Sequence, residues 1–386
     1  MSNGAHRQAL WSLLCGNFII GCGVLLPAGM LNNLSADLGV SVSTAGLLML
    51  IGGLVVGCGA PVAAAFTSRF DRRTLLAASL LLYAAGHALS TIAPGFASLA
   101  AIRAVMILAA AIFTPQAAAT VGALVPAEKR PAAIAFVFIG WSVASVVSAP
   151  AGNLIAAYLG WRIAYGLVAV LGLAALGFLW VSVPRGIKVQ PLSFAAWRAV
   201  FGNRAIMCTL AVTLVAMSGQ ATLFNYMAPV HKAALNASPV LISILFLIYG
   251  LAGVAGNFAS ARLVGFIGLD QAALVAFVLM AAGAACFSLS FGVLAGTIAG
   301  LIIWGLGTFS SNSLQQSRLA AAAPDLASAS IALNTSVLYL GQAIGAGIGG
   351  KLITGGVTAL QSWTAAIIIA LAAALSVVAS RLMARR

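Results

Sequence analysis

The chain has 386 residues, of which 62% are hydrophobic and 6% are charged, and its formal net charge is +14. A soluble domain carries about 25% charged residues because its surface faces water, so this composition excludes a water-soluble protein. The positive charge does not indicate a nucleic-acid-binding protein, because the basic residues stand in short clusters between apolar segments and form no continuous basic face.

Apolar segments of about 20 residues, the length that crosses the hydrocarbon core as a helix, recur along the whole chain. The first of them is interpreted as an uncleaved span because it continues into a long membrane protein. The predicted spans are residues 9–30, 44–66, 75–93, 98–123, 132–157, 162–182, 205–228, 239–261, 270–290, 293–317, 330–352 and 360–382. The predicted fold is therefore an all-α membrane protein with twelve transmembrane helices in two six-helix bundles.

A repeat supports the division into two halves. The segments GCGAPVAAAFTSR (57–69) and GLAGVAGNFASAR (250–262) both end the second span of their half with small residues before an Arg. Parallel repeats around a shared site are a known transporter plan. We predict an N-terminal bundle at 1–183, a cytoplasmic linker at 184–204 and a C-terminal bundle at 205–386.

The loops predict the orientation, since cytoplasmic loops collect Lys and Arg. Only Arg162, Lys232 and Lys351 fall on one side, and Arg103 falls inside a span. Fifteen of the nineteen basic residues fall on the other side: Arg7, Arg69, Arg72, Arg73, Lys129, Arg130, Arg185, Lys188, Arg198, Arg204, Arg262, Arg318, Arg381, Arg385 and Arg386. Both termini are therefore predicted to be cytoplasmic, in a bacterial inner membrane. Within the linker, SFAAWRAVF predicts either a short helix on the membrane surface or a plain connection.

Six segments carry a family resemblance over nearly the whole chain. They are LSADLGVSVSTAGLL (34–48), GAPVAAAFTSRFDRRTLL (59–76), LAAIRAVM (99–106), SAPAGNLIAAYLGWRIAY (148–165), NYMAPV (225–230) and APDLASASIALNTSVLYLGQAIGAGIGG (323–350). In order and spacing they resemble the major facilitator superfamily, specifically its twelve-span drug:proton antiporter branch and the arabinose-efflux-like permeases. The chain departs from the commoner pattern at Ser68, where relatives have Asp, at Asp71, where they have Gly, and at Val24, where many have Glu.

Arg103 is predicted to be the only basic residue well inside a span. A charge at that depth costs about 2.5–3.5 kcal/mol, so it normally faces a cavity or a partner. The resemblance implies a role in coupling or in charge balance near the substrate pathway. The alternative is an Arg that extends its side chain to the outer interface.

Proton coupling has two candidate residues, because no carboxylate is predicted inside a span and a proton antiporter needs a titratable group there. Asp37 is the acid nearest the outer side, although it also fits a cap before span two. His87 lies deep in span three and titrates in the right range, although a hydrogen-bonded structural histidine fits equally.

The loop between spans two and three is the predicted cytoplasmic gate, formed by Arg69, Asp71, Arg72 and Arg73. Arginines bind the carbonyl groups at a helix C-terminus, and the resemblance implies a latch between spans two and eleven. The alternative is that these charges only fix the topology.

Small residues in spans five and eleven are predicted to form a hinge or close-packing surface between the halves. Pro150 bends its helix, and Gly152, Gly341 and Gly345 allow backbones to approach closely. Tight static packing would produce the same pattern.

The predicted substrate cavity is lined by the first and fourth spans of each half and by the flanking gate spans, as the resemblance implies. Its amides and aromatics suit a small neutral or anionic molecule, although each residue also fits an interhelical hydrogen bond. The candidates, besides Arg103, are Asn17, Gln116, Trp141, Gln220, Asn225, Tyr226, Trp304, Asn312, Gln315, Asn334, Tyr339 and Gln342.

These patterns favour a secondary active transporter that exports a small organic solute (a sugar, a nucleoside or a drug-like molecule) by alternating access and proton-coupled antiport. The alternatives are an uncoupled facilitator or uptake carrier and a ligand-binding membrane sensor. We expect no enzyme activity and no cofactor, because His, Asp, Glu and Cys do not cluster in the spans. We expect no metal site, because the five cysteines are scattered within apolar segments without a CxxC pair or a nearby His. The expected partners are the substrate, protons and membrane lipid, with the protein acting as a monomer.

Overall fold

A computed structural model describes residues 3–67, 69–187, 194–356 and 358–384. Ser68 and linker residues 188–193 lie outside this range. Within it the chain is all helical, and twelve helical spans are long and apolar enough to cross a membrane, which confirms the predicted fold class. In chain order, spans 1 to 12 are Asn3–Gly29, Val42–Thr67, Arg72–Thr91, Phe96–Met106 with Leu108–Leu124, Arg130–Tyr158, Trp161–Ser182, Arg204–Phe224, Pro239–Ile267, Leu269–Leu289, Leu294–Ala322, Ala327–Thr354 and Thr358–Ala384.

The even number of spans places both chain ends at the same face of the bundle, called here the terminal face; the other is the opposite face. Short helices Leu31–Asp37 and Met227–Leu235 follow spans 1 and 7 at the opposite face, and Phe194–Gly202 lies in the linker. Short 3₁₀ turns, Ala127–Lys129 and Pro324–Leu326, precede spans 5 and 11 at the terminal face.

Local sequence sets the helix starts. Asp71 caps span 3 by accepting from the Thr74 amide, and Asn203 caps span 7 in the same manner. Ser238 caps span 8, whose first residue is Pro239. These side chains accept hydrogen bonds from amides that have no partner within the helix. Proline is tolerated at the first position because the N–H it lacks would have no partner within the helix.

The same helix pairings recur in each half. Span 1 packs on spans 5 and 6, and span 3 on spans 4 and 6; span 7 correspondingly packs on spans 11 and 12, and span 9 on spans 10 and 12. The halves meet through span 2 against span 11 and span 5 against span 8. The interface between the halves therefore also follows the repeat.

The predicted hinge glycines pack inside their own halves rather than between them. A Cβ atom at Gly152 would lie 2.8 Å from Leu26 Cδ1 of span 1. A Cβ atom at Gly341 would lie 2.6 Å from the Leu214 carbonyl oxygen of span 7, and Gly345 packs against the same span. These three positions thus allow close packing within a half, which was the alternative interpretation of the sequence.

The linker is anchored to both halves. The amide of Gly186 donates to Asp71 Oδ2 at 2.6 Å, and the carbonyl of Ile187 accepts from the Arg72 amide at 3.0 Å. Val200, in the linker helix, is fully buried against Ile206 and other apolar residues of the C-terminal half. A short helix therefore exists in the linker, and one side of it packs on the C-terminal half.

Candidate transport pathway

The opposite face is closed by hydrogen bonds between spans 5 and 8, here called the span 5–8 latch. Asn153 Nδ2 donates to the Pro239 carbonyl at 2.6 Å and to Ser243 Oγ at 2.9 Å. Ser243 Oγ in turn donates to the Pro150 carbonyl at 3.0 Å. Asn153 and Ser243 are each 3% exposed. The sequence analysis selected the neighbouring Pro150 and missed Asn153, although an amide side chain inside a span was an available signal.

Tyr226 forms a second closure, where spans 2 and 11 meet the opposite face. Its side chain is buried, and its hydroxyl donates to the Ala346 carbonyl at 2.7 Å. Gly46 and Gly350 leave room for it, since a Cβ atom at Gly350 would lie 2.8 Å from the hydroxyl and one at Gly46 would lie 2.7 Å from its ring. Tyr226 therefore lies in the closure and not within the predicted cavity; Asn225 beside it is buried.

Spans 2 and 11 touch almost backbone to backbone at mid-depth. A Cβ atom at Gly53 would lie 2.7 Å from the Tyr339 carbonyl and 2.9 Å from Ala343 Cβ, and one at Gly57 would lie 2.7 Å from Leu340 Cγ. Gly53 and Gly57 thus allow close packing between the halves, whereas the predicted glycines allow close packing within a half.

A polar stripe on span 10 lies on the terminal side of these contacts. Asn312 and Gln316 are half-buried and Ser313 and Ser317 are exposed, at helical spacing along one face. Polar side chains inside a membrane span face protein or a water-filled cavity and avoid lipid. The three direct hydrogen bonds between halves that the described residues make all lie at the other face. The described hydrogen bonds between the halves therefore close the pathway at the opposite face, and the polar stripe lies on the terminal side of that closure.

A buried amide cluster supports this stripe and brings three predicted cavity residues together. Gln315 Nε2 donates to the Thr209 carbonyl at 2.9 Å and to Thr213 Oγ1 at 3.2 Å. Thr213 donates to Asn334 Oδ1 at 2.8 Å, and Asn334 Nδ2 donates to Asn312 Oδ1 at 3.3 Å. The side chains of Gln315 and Asn334 thus form hydrogen bonds between helices. Asn312 belongs both to this cluster and to the polar stripe of span 10.

Several other predicted cavity residues are buried away from the stripe. Trp304 packs against Tyr249 with ring centroids 4.5 Å apart, and Gln220 donates to the Tyr249 hydroxyl at 3.2 Å, all inside the C-terminal half. Asn17 donates to the Val137 carbonyl at 3.4 Å inside the N-terminal half. These residues form contacts between helices of one half.

Three predicted residues remain half-buried near the plane between the halves. Trp141 lies against Gly21 of span 1, where a Cβ atom would be 3.1 Å from the indole. Tyr339 and Gln342 follow Thr335 at helical spacing on span 11, and all three are half-buried. Together with the span 10 stripe they give the pathway amide, hydroxyl and aromatic surfaces.

Arg103 is buried among backbone carbonyls, with 1% of its surface exposed, which excludes the interpretation as an Arg extended to the interface. It donates to Leu48 at 2.7 Å, to Val24 at 3.0 Å and to Gly23 at 3.3 Å. The Gly23 carbonyl lacks its usual helical donor because Pro27, four residues later, has no N–H. Arg103 therefore ties span 4 to spans 1 and 2.

His87 is fully buried between spans 1, 3 and 6. Its Nδ1 lies 2.8 Å from the Tyr83 carbonyl, which holds the proton on Nδ1, and its ring packs against Tyr83 and Tyr165. Nε2 has no partner among the described residues. This geometry matches the hydrogen-bonded structural histidine, and a role in proton coupling stays a prediction.

Asp37 lies at the surface of the opposite face. Trp161 Nε1 donates to it at 2.7 Å and Arg162 pairs with it at 2.5 Å. The Trp161 hydrogen bond, followed by the bond from Arg162, lowers the pKa of this carboxyl. Asp37 thus joins the helix after span 1 to the start of span 6.

The lowered pKa gives Asp37 a stabilising effect that is present above the ordinary pKa of an Asp, about 3.9, and lost as the pH falls through the folded-state value. We expect Asp37→Asn to lower the melting temperature slightly at pH 7 and to lower it by less as the pH falls below the ordinary pKa of an Asp. The pair is half-exposed, so its contribution lies between 0 and about 1 kcal/mol. Melting curves of both proteins from pH 7 to pH 3 check this; a constant difference would contradict it.

Arg72 is a correction to the predicted gate. It was expected in a loop, but its side chain is 1% exposed inside the N-terminal half. Nη1 donates to Gln116 Oε1 at 2.6 Å and approaches the Thr67 carbonyl at 3.4 Å. Gln116, a predicted cavity residue, therefore serves to hold Arg72 between spans 2, 3 and 4.

The other predicted gate residues lie around the same loop. Arg69 is exposed, and the Arg73 guanidinium stacks 4.3 Å over the Trp180 ring of span 6. Asp71 binds Thr74 and the linker amide of Gly186. Within the described contacts these groups bind their own half and the linker, so the latch to span 11 stays a prediction.

Arg318 was also expected in a loop, and the structure places it inside span 10 with 1% exposure. Its Nε donates to Asp270 at 2.8 Å, and its other nitrogens donate to Gln315 at 2.8 Å and to Ser376 and Ser380 at 3.0 Å. It links the amide cluster to span 12. Ser376 and Ser380, four residues apart on one helix, were the available signal.

Two repeats of six spans, closed at one face and lined with polar side chains towards the other, define a membrane transporter of the two-half type. The chain belongs to the Major Facilitator Superfamily, whose family model matches residues 13–346.

Relatives and solved structures agree with this assignment. The chain is 26% identical over 363 residues to the MFS-type transporter YbcL of Bacillus subtilis, covering 94% of this chain and 93% of that protein. It is 33% identical to a chloramphenicol resistance protein of Streptomyces lividans over 63% of each chain. In fold it is similar to a bacterial homolog of the lysosomal transporter Spinster, with a TM-score of 0.79 at 15% identity, covering 100% of this chain and 99% of that one.

Proposed function

We propose that the protein exports a small uncharged or anionic organic solute by alternating access. The observation that carries this proposal is the polar stripe of span 10, half-buried at Asn312 and Gln316 and exposed at Ser313 and Ser317, on the side away from the span 5–8 latch. These amides and hydroxyls would bind a solute that enters from the terminal face. Cations have no buried acid to attract them on this route.

Export would carry the solute from the terminal face to the opposite face, and we place the terminal face in the cytoplasm of a bacterial inner membrane. The concentration of Lys and Arg in the loops of that face supports this orientation. The relative named as a chloramphenicol resistance protein supports export and an uncharged, amide-containing substrate. Residues 1–183 and 205–386 are the proposed moving halves of one monomer.

Proton-coupled antiport is the proposed driving reaction, with Asp37 and His87 as its candidate groups. An uncoupled carrier is the second candidate, favoured by one observation. All five acids lie in loops or near helix ends: Asp37, Asp71, Glu128, Asp270 and Asp325.

Ligand binding is the first test, with purified protein melted in the presence of sugars, nucleosides and uncharged amides such as chloramphenicol. A ligand at 100 times its dissociation constant raises stability by about 2.7 kcal/mol. We expect a hit whose stabilisation is lost in Asn312→Ala and kept in Ser288→Ala, a control on a helix of the same half. A ligand that stabilises Asn312→Ala as much as the unmodified protein would contradict the proposed site.

Transport in reconstituted vesicles then separates the two mechanisms. If the protein is an antiporter, an opposing pH gradient accelerates export of the ligand found in the first test. If it is an uncoupled carrier, the rate of export does not depend on that gradient. Ligand binding without any exchange of labelled solute would instead identify a sensor.

A further inference from the structure

The seam between spans 3 and 6 carries two grooves on the outer, lipid-facing surface. The groove nearer the terminal face, here the terminal groove, has a volume of about 520 Å³ and is lined by small and apolar side chains that include Ala77, Ala78, Leu81, Leu173 and Gly177, with Thr74 and Trp180 at its polar end. The groove nearer the opposite face, here the opposite groove, measures about 510 Å³ and includes Ile163, Gly166, Leu167 and Val170, with Thr91 and Arg162 at its polar end. Leu81 and Leu173 are about half exposed, as expected of side chains that contact acyl chains.

Each groove ends at an arginine stacked on a tryptophan. Arg73 lies 4.3 Å above Trp180 at the terminal groove, and Arg162 lies 4.3 Å above Trp161 at the opposite groove. Stacking on an indole holds the planar guanidinium in place, so its remaining N–H groups are positioned for an anion. The two grooves are thus alike in volume, lining and arrangement.

They differ in charge. Arg162 is neutralised by its ion pair with Asp37, whereas Arg73 forms no ion pair with any described residue. The nearby acid, Asp71, is already bound to the amides of Thr74 and Gly186. Two further exposed arginines, at positions 69 and 185, add positive charge around this loop.

We propose that the terminal groove is a binding site for an anionic phospholipid. One acyl chain lies along the groove between Ala78 and Gly177, and the headgroup phosphate binds the guanidinium of Arg73. The opposite groove accepts an acyl chain without preference for headgroup charge, because its arginine already has a counter-ion. Anionic lipids are bound by basic residues at this depth of the membrane, just as polybasic segments bind the anionic leaflet.

The chain offers a matched pair of groove-filling variants. A Cβ atom at Gly177 meets no other atom within 4 Å, so the side chain of Gly177→Leu can extend into the terminal groove, which Gly177 lines. A Cβ atom at Gly166 meets only Thr91 Cγ2, at 3.6 Å, so Gly166→Leu fills the opposite groove at ordinary contact distance. Leucine has a higher helix propensity than glycine, so both variants should fold.

The test is native mass spectrometry of the purified full-length protein titrated with phosphatidylglycerol or phosphatidylcholine of identical acyl chains. We expect the unmodified protein to bind its first phosphatidylglycerol about fivefold more tightly, the ratio that corresponds to about 1 kcal/mol for one basic residue near an anionic surface. Arg73→Gln should remove this preference, and Gly177→Leu should weaken that first phosphatidylglycerol binding. Arg162→Gln and Gly166→Leu should retain the fivefold preference.

Melting curves first establish that each variant is folded. A fivefold preference that persists in Arg73→Gln, or first binding unchanged in Gly177→Leu, would overturn the proposal. Equal loss of the preference in Arg73→Gln and Arg162→Gln would also overturn it, since a general attraction to positive charge would then explain the binding.

Discussion

Replacing Arg103 with alanine is expected to lower the free energy of unfolding by about 3 kcal/mol or more. The Gly23 carbonyl would be left without a donor, and an orphaned buried acceptor costs about 1–3 kcal/mol. The Leu48 and Val24 carbonyls would keep their helical amides and would each lose a hydrogen bond to a charged group, worth about 1.5–3 kcal/mol. Pro27 makes the loss at Gly23 more severe, because no helical N–H can replace the guanidinium.

Arg103→Lys separates the shape of the side chain from its charge. Lysine keeps the positive charge but lacks the planar fork that reaches two spans at once, so we expect a stability between those of the alanine variant and the unmodified protein. Arg262→Ala, at an exposed position in span 8, is the control and should change stability by less than about 0.5 kcal/mol.

Unfolding of the purified variants in a detergent–denaturant mixture supplies the comparison. If Arg103→Ala is as stable as Arg262→Ala, the carbonyl contacts do not hold the spans together and the tie between spans 4, 1 and 2 is wrong. If Arg103→Ala is stable but its transport no longer depends on a pH gradient, Arg103 has the coupling role that the family resemblance implies.

Asn153→Ala is expected to open the opposite face more often, by about tenfold. The substitution removes two hydrogen bonds between the halves, to Pro239 and Ser243, each with a net worth of about 0.5–1.5 kcal/mol. A tenfold shift corresponds to about 1.4 kcal/mol. Because the closed state alone contains these bonds, their loss shifts the equilibrium towards the open state.

A cysteine placed at Ser43 reports this change, since Ser43 lies at the opposite-face end of span 2, where a Cβ atom at Gly350 would be 3.0 Å from its hydroxyl. Labelling by a water-soluble maleimide should be about tenfold faster when Asn153→Ala is added. Asn33→Ala is the matched control, because Asn33 donates to Ala156 within the N-terminal half near the same face. Equal labelling rates in the two variants would show that the span 5–8 latch does not hold the halves closed.

The twelve spans follow from sequence because crossing a membrane requires about 20 apolar residues and little else. The same rule misplaced Arg318. A span predicted from hydropathy ends at the first charge, whereas Asp270, Ser376 and Ser380 together satisfy this arginine inside the protein. Such partners come from helices distant in sequence, so hydropathy contains no information about them.

The residues that line the pathway were less predictable than the spans. A span that is apolar on all sides does not show which of its faces points towards the pathway. Lipid and protein interior both accept leucine and alanine, so a polar residue marks a contact without marking its direction. Trp304 and Gln220 were predicted for the cavity and lie among the helices of one half. Asn312 was predicted with them and does reach the polar stripe.

The anchoring of the linker sets a limit on the motion of the two halves. Ile187 is held at the N-terminal half and the linker helix, which starts at Phe194, is packed on the C-terminal half. The backbone between these anchors has seven peptide steps, and a fully extended chain spans at most about 3.6 Å per residue, or roughly 25 Å. Separation of the anchors beyond that length would break one of the two attachments, so the widest entrance the transporter can present at the terminal face is fixed by the covalent length of its own connection.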